Sequence, residues 1–135
     1  MVHTGLIKHM VLVLILGMLV SCASTPDELE SYNDAIDTYE KLIRWREFLQ
    51  ARKYHKEPGE YDDKIREHLD QIRVTRYTVI QSAMDPGLQK ATQVVDIRYY
   101  NDTYARERNL TVQQSWEYNP KVKTWMLTTP FPVFK

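Results

Sequence analysis

Few side chains in this sequence are typed and spaced for covalent or acid–base chemistry. Cys22 is the only thiol, and so the only good soft nucleophile. His55 and His68 lie among Glu57, Glu60, Asp62, Asp63 and Glu67, a set with nitrogen and oxygen donors for a metal ion. The spacing matches no His-Glu-x-x-His pattern, and Pro58-Gly59 breaks the segment. A solvated charged loop is the better reading, and no metal or cofactor is expected. Ser82 and Ser115 have no neighbouring base in sequence and no Gly-x-Ser-x-Gly context. With 4 Gly in the chain, no phosphate-cradling loop is spelled out. Asp96 beside Tyr99 and Tyr100 is the remaining acid–base candidate. Strand alternation places Asp96 with Arg98 on the polar face, which favours a surface cross-strand ion pair. A catalytic constellation is therefore not expected.

The context of Cys22 is more informative. His3, Lys8 and His9 precede an apolar run, Met10–Val20, and no charge occurs between Lys8 and Asp27. At ~1.5 Å per residue that run covers about half of the ~30 Å hydrocarbon core, too little to span it. A charged start, a short apolar core and small residues at its end describe a secretory signal.

Leu19-Val20-Ser21-Cys22 resembles the lipobox of bacterial lipoprotein precursors: an aliphatic residue, a branched or small one, a small one, then cysteine. The resemblance covers the targeting segment alone. It implies a diacylglyceryl thioether on Cys22, cleavage after Ser21, and frequently N-acylation of the new terminus. Two or three acyl chains give near-permanent attachment without spanning, whereas one is marginal. By the same resemblance, Ala23 in place of an aspartate favours the outer membrane, facing the periplasm, in an organism that has one. The expected organisation is a signal peptide over 1–21, a lipidated cysteine and short tether over 22–24, and a single domain over 25–135.

The whole chain has 135 residues, with 18 Lys+Arg against 18 Asp+Glu. That length suits one domain, and neutrality argues against nucleic-acid binding driven by bulk charge. A 43% hydrophobic content and 11% aromatic content suit a folded core rather than a disordered chain. One cysteine excludes an internal disulfide framework. Arg73, Arg76, Arg98, Arg106 and Arg108 make the strand region more basic than the first helix.

Thr25-Pro26-Asp27-Glu28 reads as a helix start, with Thr25 and Glu28 as a capping box and Pro26 at the first helical position. The spacing predicts a helix to about Tyr54, ahead of Pro58-Gly59. Leu29, Tyr32, Ile36, Tyr39 and Ile43 form one apolar stripe. After Ile43 the pattern rotates toward Trp45, Phe48 and Leu49. Two readings stand: the halves of the helix pack on different parts of one domain, or Tyr32, Ile36, Tyr39 and Ile43 dock a partner helix or a second copy. A short second helix is predicted from Glu60 to about Asp70, with Tyr61, Ile65 and Leu69 on one side.

From residue 72 the period changes from 3.6 to 2. Strands are predicted over 72–83, 90–100, 108–118 and 124–128, separated by turns at Asp85-Pro86-Gly87, Asn101-Asp102 and Asn119-Pro120. This makes an α+β fold: a long N-terminal amphipathic helix and a short second helix on a four-stranded antiparallel meander. In pattern it is similar to the NTF2-like and cystatin-like half-barrel domains. The tail, Thr129–Lys135, is apolar and proline-rich, so Phe131 and Phe134 either cover an exposed patch or sheet edge or present an extended segment to a partner. The functional expectation is a lipid-anchored, non-enzymatic interaction or assembly subunit of the cell envelope, bound to the membrane through Cys22. The alternative is a small-molecule or lipid-binding module with a cavity between helix and sheet.

Overall fold

The computed structural model describes residues 26–135. Cys22, the Leu19–Cys22 motif and Thr25 lie outside the described residues. The described chain is α+β. Its helices are α1 (Asp27–Arg44), α2 (Phe48–Arg52) and α3 (Asp63–Asp70). Its strands are β1 (Ile72–Met84), β2 (Lys90–Asn101), β3 (Glu107–Asn119) and β4 (Thr124–Leu127). The strands form one antiparallel sheet in the order β1-β2-β3-β4, the expected meander. Among the described residues no helix is long and apolar enough to cross a membrane.

α1 starts one residue later than a Thr25 cap implies. Pro26 is the capping residue, in an extended conformation and without a side-chain cap bond. Its carbonyl accepts from Leu29 and Glu30 N–H. Asp27, Glu28 and Glu30 then oppose the positive end of the helix dipole.

The expected continuation to Tyr54 does not occur. α1 closes at Trp45, and Arg46 takes a left-handed φ of 65°. Arg46 N–H donates to Ile43 O (3.2 Å) and Glu47 N–H to Leu42 O (2.8 Å). These two bonds are a Schellman ending, normally built around glycine. The chain turns there, and α2 buries Phe48, Ala51 and Arg52 in a new direction. This is the physical reason for the rotated pattern after Ile43. α3 is shorter than expected. Asp62 caps it by accepting from Ile65 N–H at 2.8 Å, which leaves Tyr61 ahead of the helix.

The core lies between α1 and one sheet face. Tyr32, Tyr39 and Ile43 are buried against a set that includes Ala91, Val95, Ile97, Trp116, Trp125 and Leu127. Trp116 meets Tyr39 edge-on at 5.6 Å and Tyr32 at 6.3 Å between ring centroids. Trp125 Nε1 donates to Glu28 O (3.0 Å) and Ser31 Oγ (3.1 Å), fastening the start of α1 to β4. Alternation along β2 buries every second residue from Ala91 to Asn101, Gln93 included.

The cross-strand ion pair expected on the polar face forms at Arg98 and not at Asp96, because the residues opposite Asp96, Thr78 and Thr111, are uncharged. Register puts Asp96 opposite Thr111 and Arg98 opposite Asn109. Asp96 accepts from Asn109 Nδ2 (2.7 and 2.8 Å) and Thr111 Oγ1 (3.1 Å), while Arg98 pairs with Glu107.

Candidate functional site

The residues expected to dock a partner are placed inside the protein. Tyr32, Tyr39 and Ile43 are core, and Ile36 is half-buried against it. A side chain already packed on its own sheet is not free to meet another molecule, so the helix stripe is corrected to an internal contact. Phe131 and Phe134 are also buried, against Phe48 at 6.2 and 5.3 Å. The tail is therefore a wall of the domain rather than a free segment. It is held there by His68 Nε2–H donating to Phe134 O (2.8 Å) and Lys135 N–H donating to the Tyr99 hydroxyl (2.9 Å).

Next to that wall is a groove of about 510 Å³. One side is the loop Pro58–Glu60 and the α3 residues Lys64, Ile65, His68 and Leu69. The other is Pro130–Phe134, and Arg52 of α2 is part of the lining. The lining is overwhelmingly apolar, with the charges of Lys64 and Glu60 on exposed residues. Its volume falls within the ~300–1,000 Å³ typical of ligand sites. The space between α1 and the sheet, where a cavity was the alternative expectation, is filled by Tyr32, Tyr39, Ile43 and Trp116, so that expectation is corrected; the groove between α3 and the tail is a different one.

Arg52 is the groove residue that the sequence reading misses. Only 6% of it is exposed. Its Nη2 donates to Gly59 O and Glu60 O, both at 2.8 Å. Its guanidinium carbon lies 4.8 Å from the Tyr61 ring centroid and 5.2 Å from that of Phe131. Two carbonyls and two ring faces hold the group in place. Among the described residues no carboxylate forms an ion pair with it. The one signal available in sequence is its position four residues after Phe48, on the buried side of α2.

The histidines have structural tasks. His55 is buried, with Nδ1 2.7 Å from Thr129 O and Nε2 2.9 Å from the Tyr39 hydroxyl. A carbonyl only accepts, so Nδ1 carries the proton and Tyr39 donates to Nε2. Burial holds the imidazole below the ordinary histidine range; the Thr129 carbonyl pulls it up, and Arg52 pushes it further down. Burial also pushes the Tyr39 phenol well up, with Tyr77 adding to the rise. The pair lies in the interior, with His55 edge-on to the groove wall at Phe131 (5.4 Å between ring centroids), and ties α1 to the start of the tail. Among the described residues no cluster of three or more His, Cys, Asp or Glu side chains gathers to hold a metal.

A second polar group lies under α1. Gln114 Nε2 donates to the Tyr77 hydroxyl at 3.0 Å. Burial raises the Tyr77 phenol above its usual range, offset in part by that amide. The Tyr32 hydroxyl, Gln114 Oε1 and Trp116 Nε1 are enclosed without hydrogen-bond partners. Burial raises the Tyr32 phenol too; Ser82 offsets part of the rise without closing a bond of good geometry.

The chain matches no protein-family model and no curated protein.

Proposed function

We propose that this protein is a lipid-anchored, non-enzymatic binding module of the cell envelope, which takes an apolar ligand in the groove between α3 and the tail. The observation that carries this reading is the groove itself: about 510 Å³, apolar walls and a buried cation in its lining. The anchor is supported by Leu19-Val20-Ser21-Cys22, with two or three acyl chains on Cys22 and Ala23 pointing to the outer membrane. The helix that begins at Asp27 leaves four residues after Cys22, a reach of about 14 Å when extended. Such a tether holds the domain near the bilayer, where apolar ligands are concentrated. A helix laid across an antiparallel meander supports likeness to NTF2-like and cystatin-like domains, with the ligand site displaced from under the helix.

The test is uptake of a hydrophobic ligand by the full chain extracted from membranes, read by native mass spectrometry. Ile65→Trp, which fills the groove from α3, is expected to abolish uptake while leaving the circular dichroism spectrum unchanged. Uptake that persists in a folded Ile65→Trp protein removes the reading. The mass of the N-terminal peptide, with and without Cys22→Ser, tests the anchor separately.

The second reading, an interaction or assembly subunit, is favoured by the open edge of β1. Val79 and Ile80 are exposed there on a strand 13 residues long. Crosslinking in intact cells distinguishes it: a partner captured through residues 78–83 supports assembly, and crosslinks confined to lipid leave the binding module.

A further inference from the structure

We infer that the ligand of the groove is a single-chain fatty carboxylate, its head against Arg52 and its chain along the tail. This rests on the binding reading above and names the ligand class. A buried cation without a buried counter-charge is costly, and the cost falls when an anion arrives. Arg52 is such a cation. Nη2 is occupied by Gly59 O and Glu60 O, and the ring contacts hold the group without neutralising it. Nε and Nη1 have no hydrogen-bond acceptor among the described residues, yet neither is sealed from the surroundings.

The rest of the groove defines the other half of the molecule. Ile65, Leu69, Phe131 and Phe134 offer only apolar surface, which suits an alkyl chain. The volume suits a molecule of drug size, hence one chain rather than the two of a phospholipid. The charge is limited as well. Glu60 stands on the rim and repels a second negative charge, so a monoanion matches Arg52 better than a phosphate dianion. Lys64, exposed on the same side of the lining, adds attraction for an anion.

The experiment is photolabelling of the full, membrane-anchored chain with diazirine-bearing palmitate, followed by peptide mapping. Label is expected in residues 58–69 and 130–134, displaced by unlabelled palmitate. The methyl ester of the same probe keeps the chain and loses the charge, and about tenfold less label is expected from it. Arg52→Gln is expected to equalise the two probes. The probe comparison on the unaltered protein stands even if that variant fails to fold. Equal labelling of the groove by both probes overturns the assignment of the head group and leaves the apolar binding site standing. Absence of label from the groove with either probe overturns both.

Discussion

The two edges of the sheet are finished differently. At β4 the sheet ends under cover. That strand has only four residues, and Tyr54–Lys56 runs alongside it, with Leu127 N–H donating to Tyr54 O (2.7 Å) and Lys56 N–H to Leu127 O (2.9 Å). Lys56 reaches Glu117 on β3, which draws that carboxyl below its usual range. At β1 the sheet ends in solvent along 13 residues, most of them exposed. Register slips at Thr75 and at Ile80, each an extra residue against β2. Bulges of this kind bend and twist an edge, which discourages pairing with another chain. One edge is thus protected by covering and the other by distortion. The groove lies between α3, which leads into β1, and the tail, which follows β4 and packs Phe134 on Tyr99 of β2.

If that contrast is right, truncations on the two sides differ several-fold. Trp125→Ala is expected to cost about 3–5 kcal/mol, because it removes a buried ring and both bonds to α1. Val79→Ala, at a position 42% exposed, is expected to cost less than about 1 kcal/mol. Urea unfolding followed by circular dichroism measures both. Similar losses would contradict the contrast.

The covered side also carries the pH dependence. His55 is held neutral, its folded value below the ordinary ~6.5. The unfolded chain therefore binds the extra proton first. The contribution of His55 is fully present above pH ~6.5 and declines as pH falls through that value, with a limiting slope of about 1.4 kcal/mol per unit until the depressed folded value is reached. Protonation also removes the acceptor for the Tyr39 hydroxyl. His55→Gln is expected to flatten the stability profile between pH 6.5 and 5 and to cost about 1–3 kcal/mol at pH 7.5. Asp85 and Glu117, both shifted down, lose their contributions only below the ordinary carboxylate range. The parent-minus-variant difference isolates His55 in that window.

The same contrast explains which parts of the molecule were legible beforehand. β2 could be read residue by residue, because one of its faces is buried along its whole length. The meander followed from turn residues such as Asp85, whose Oδ1 accepts from Gln89 and Lys90 N–H. The break after α1 carried no glycine signal, since Arg46 occupies the left-handed position. The bulge at Ile80 was hidden in a run of good strand formers. The groove was illegible for a different reason. Its walls come from residue 52, residues 58–69 and residues 130–134, and no local pattern joins them.

Arg46 gives a prediction of the opposite sign. A left-handed residue other than glycine costs roughly 1–2 kcal/mol. The Arg46 side chain is exposed, so little packing is lost on its removal. Arg46→Gly is expected to stabilise the fold by about 0.5–1 kcal/mol, seen as a higher urea midpoint at unchanged slope. A lower midpoint would mean that Arg46 does more than end α1.

The smallest effect on stability is expected at the open edge. Ile80 is 61% exposed and is the extra residue of its bulge, so it contributes little to the core and has no partner in register on β2. Ile80→Lys should change the unfolding free energy by less than about 0.5 kcal/mol. Its effect on association is a separate matter. Residues 77–83 hold no charge, proline or glycine, and so combine strand propensity with an open row of backbone donors and acceptors. A lysine at the bulge adds the charge that this stretch lacks. Light scattering during slow heating should then show aggregation delayed relative to the parent protein, with the unfolding midpoint unmoved. If aggregation is unchanged, distortion alone already protects β1. If the midpoint falls by several degrees, the edge is better packed than its exposure implies, and the two sides of the sheet differ less than the register indicates.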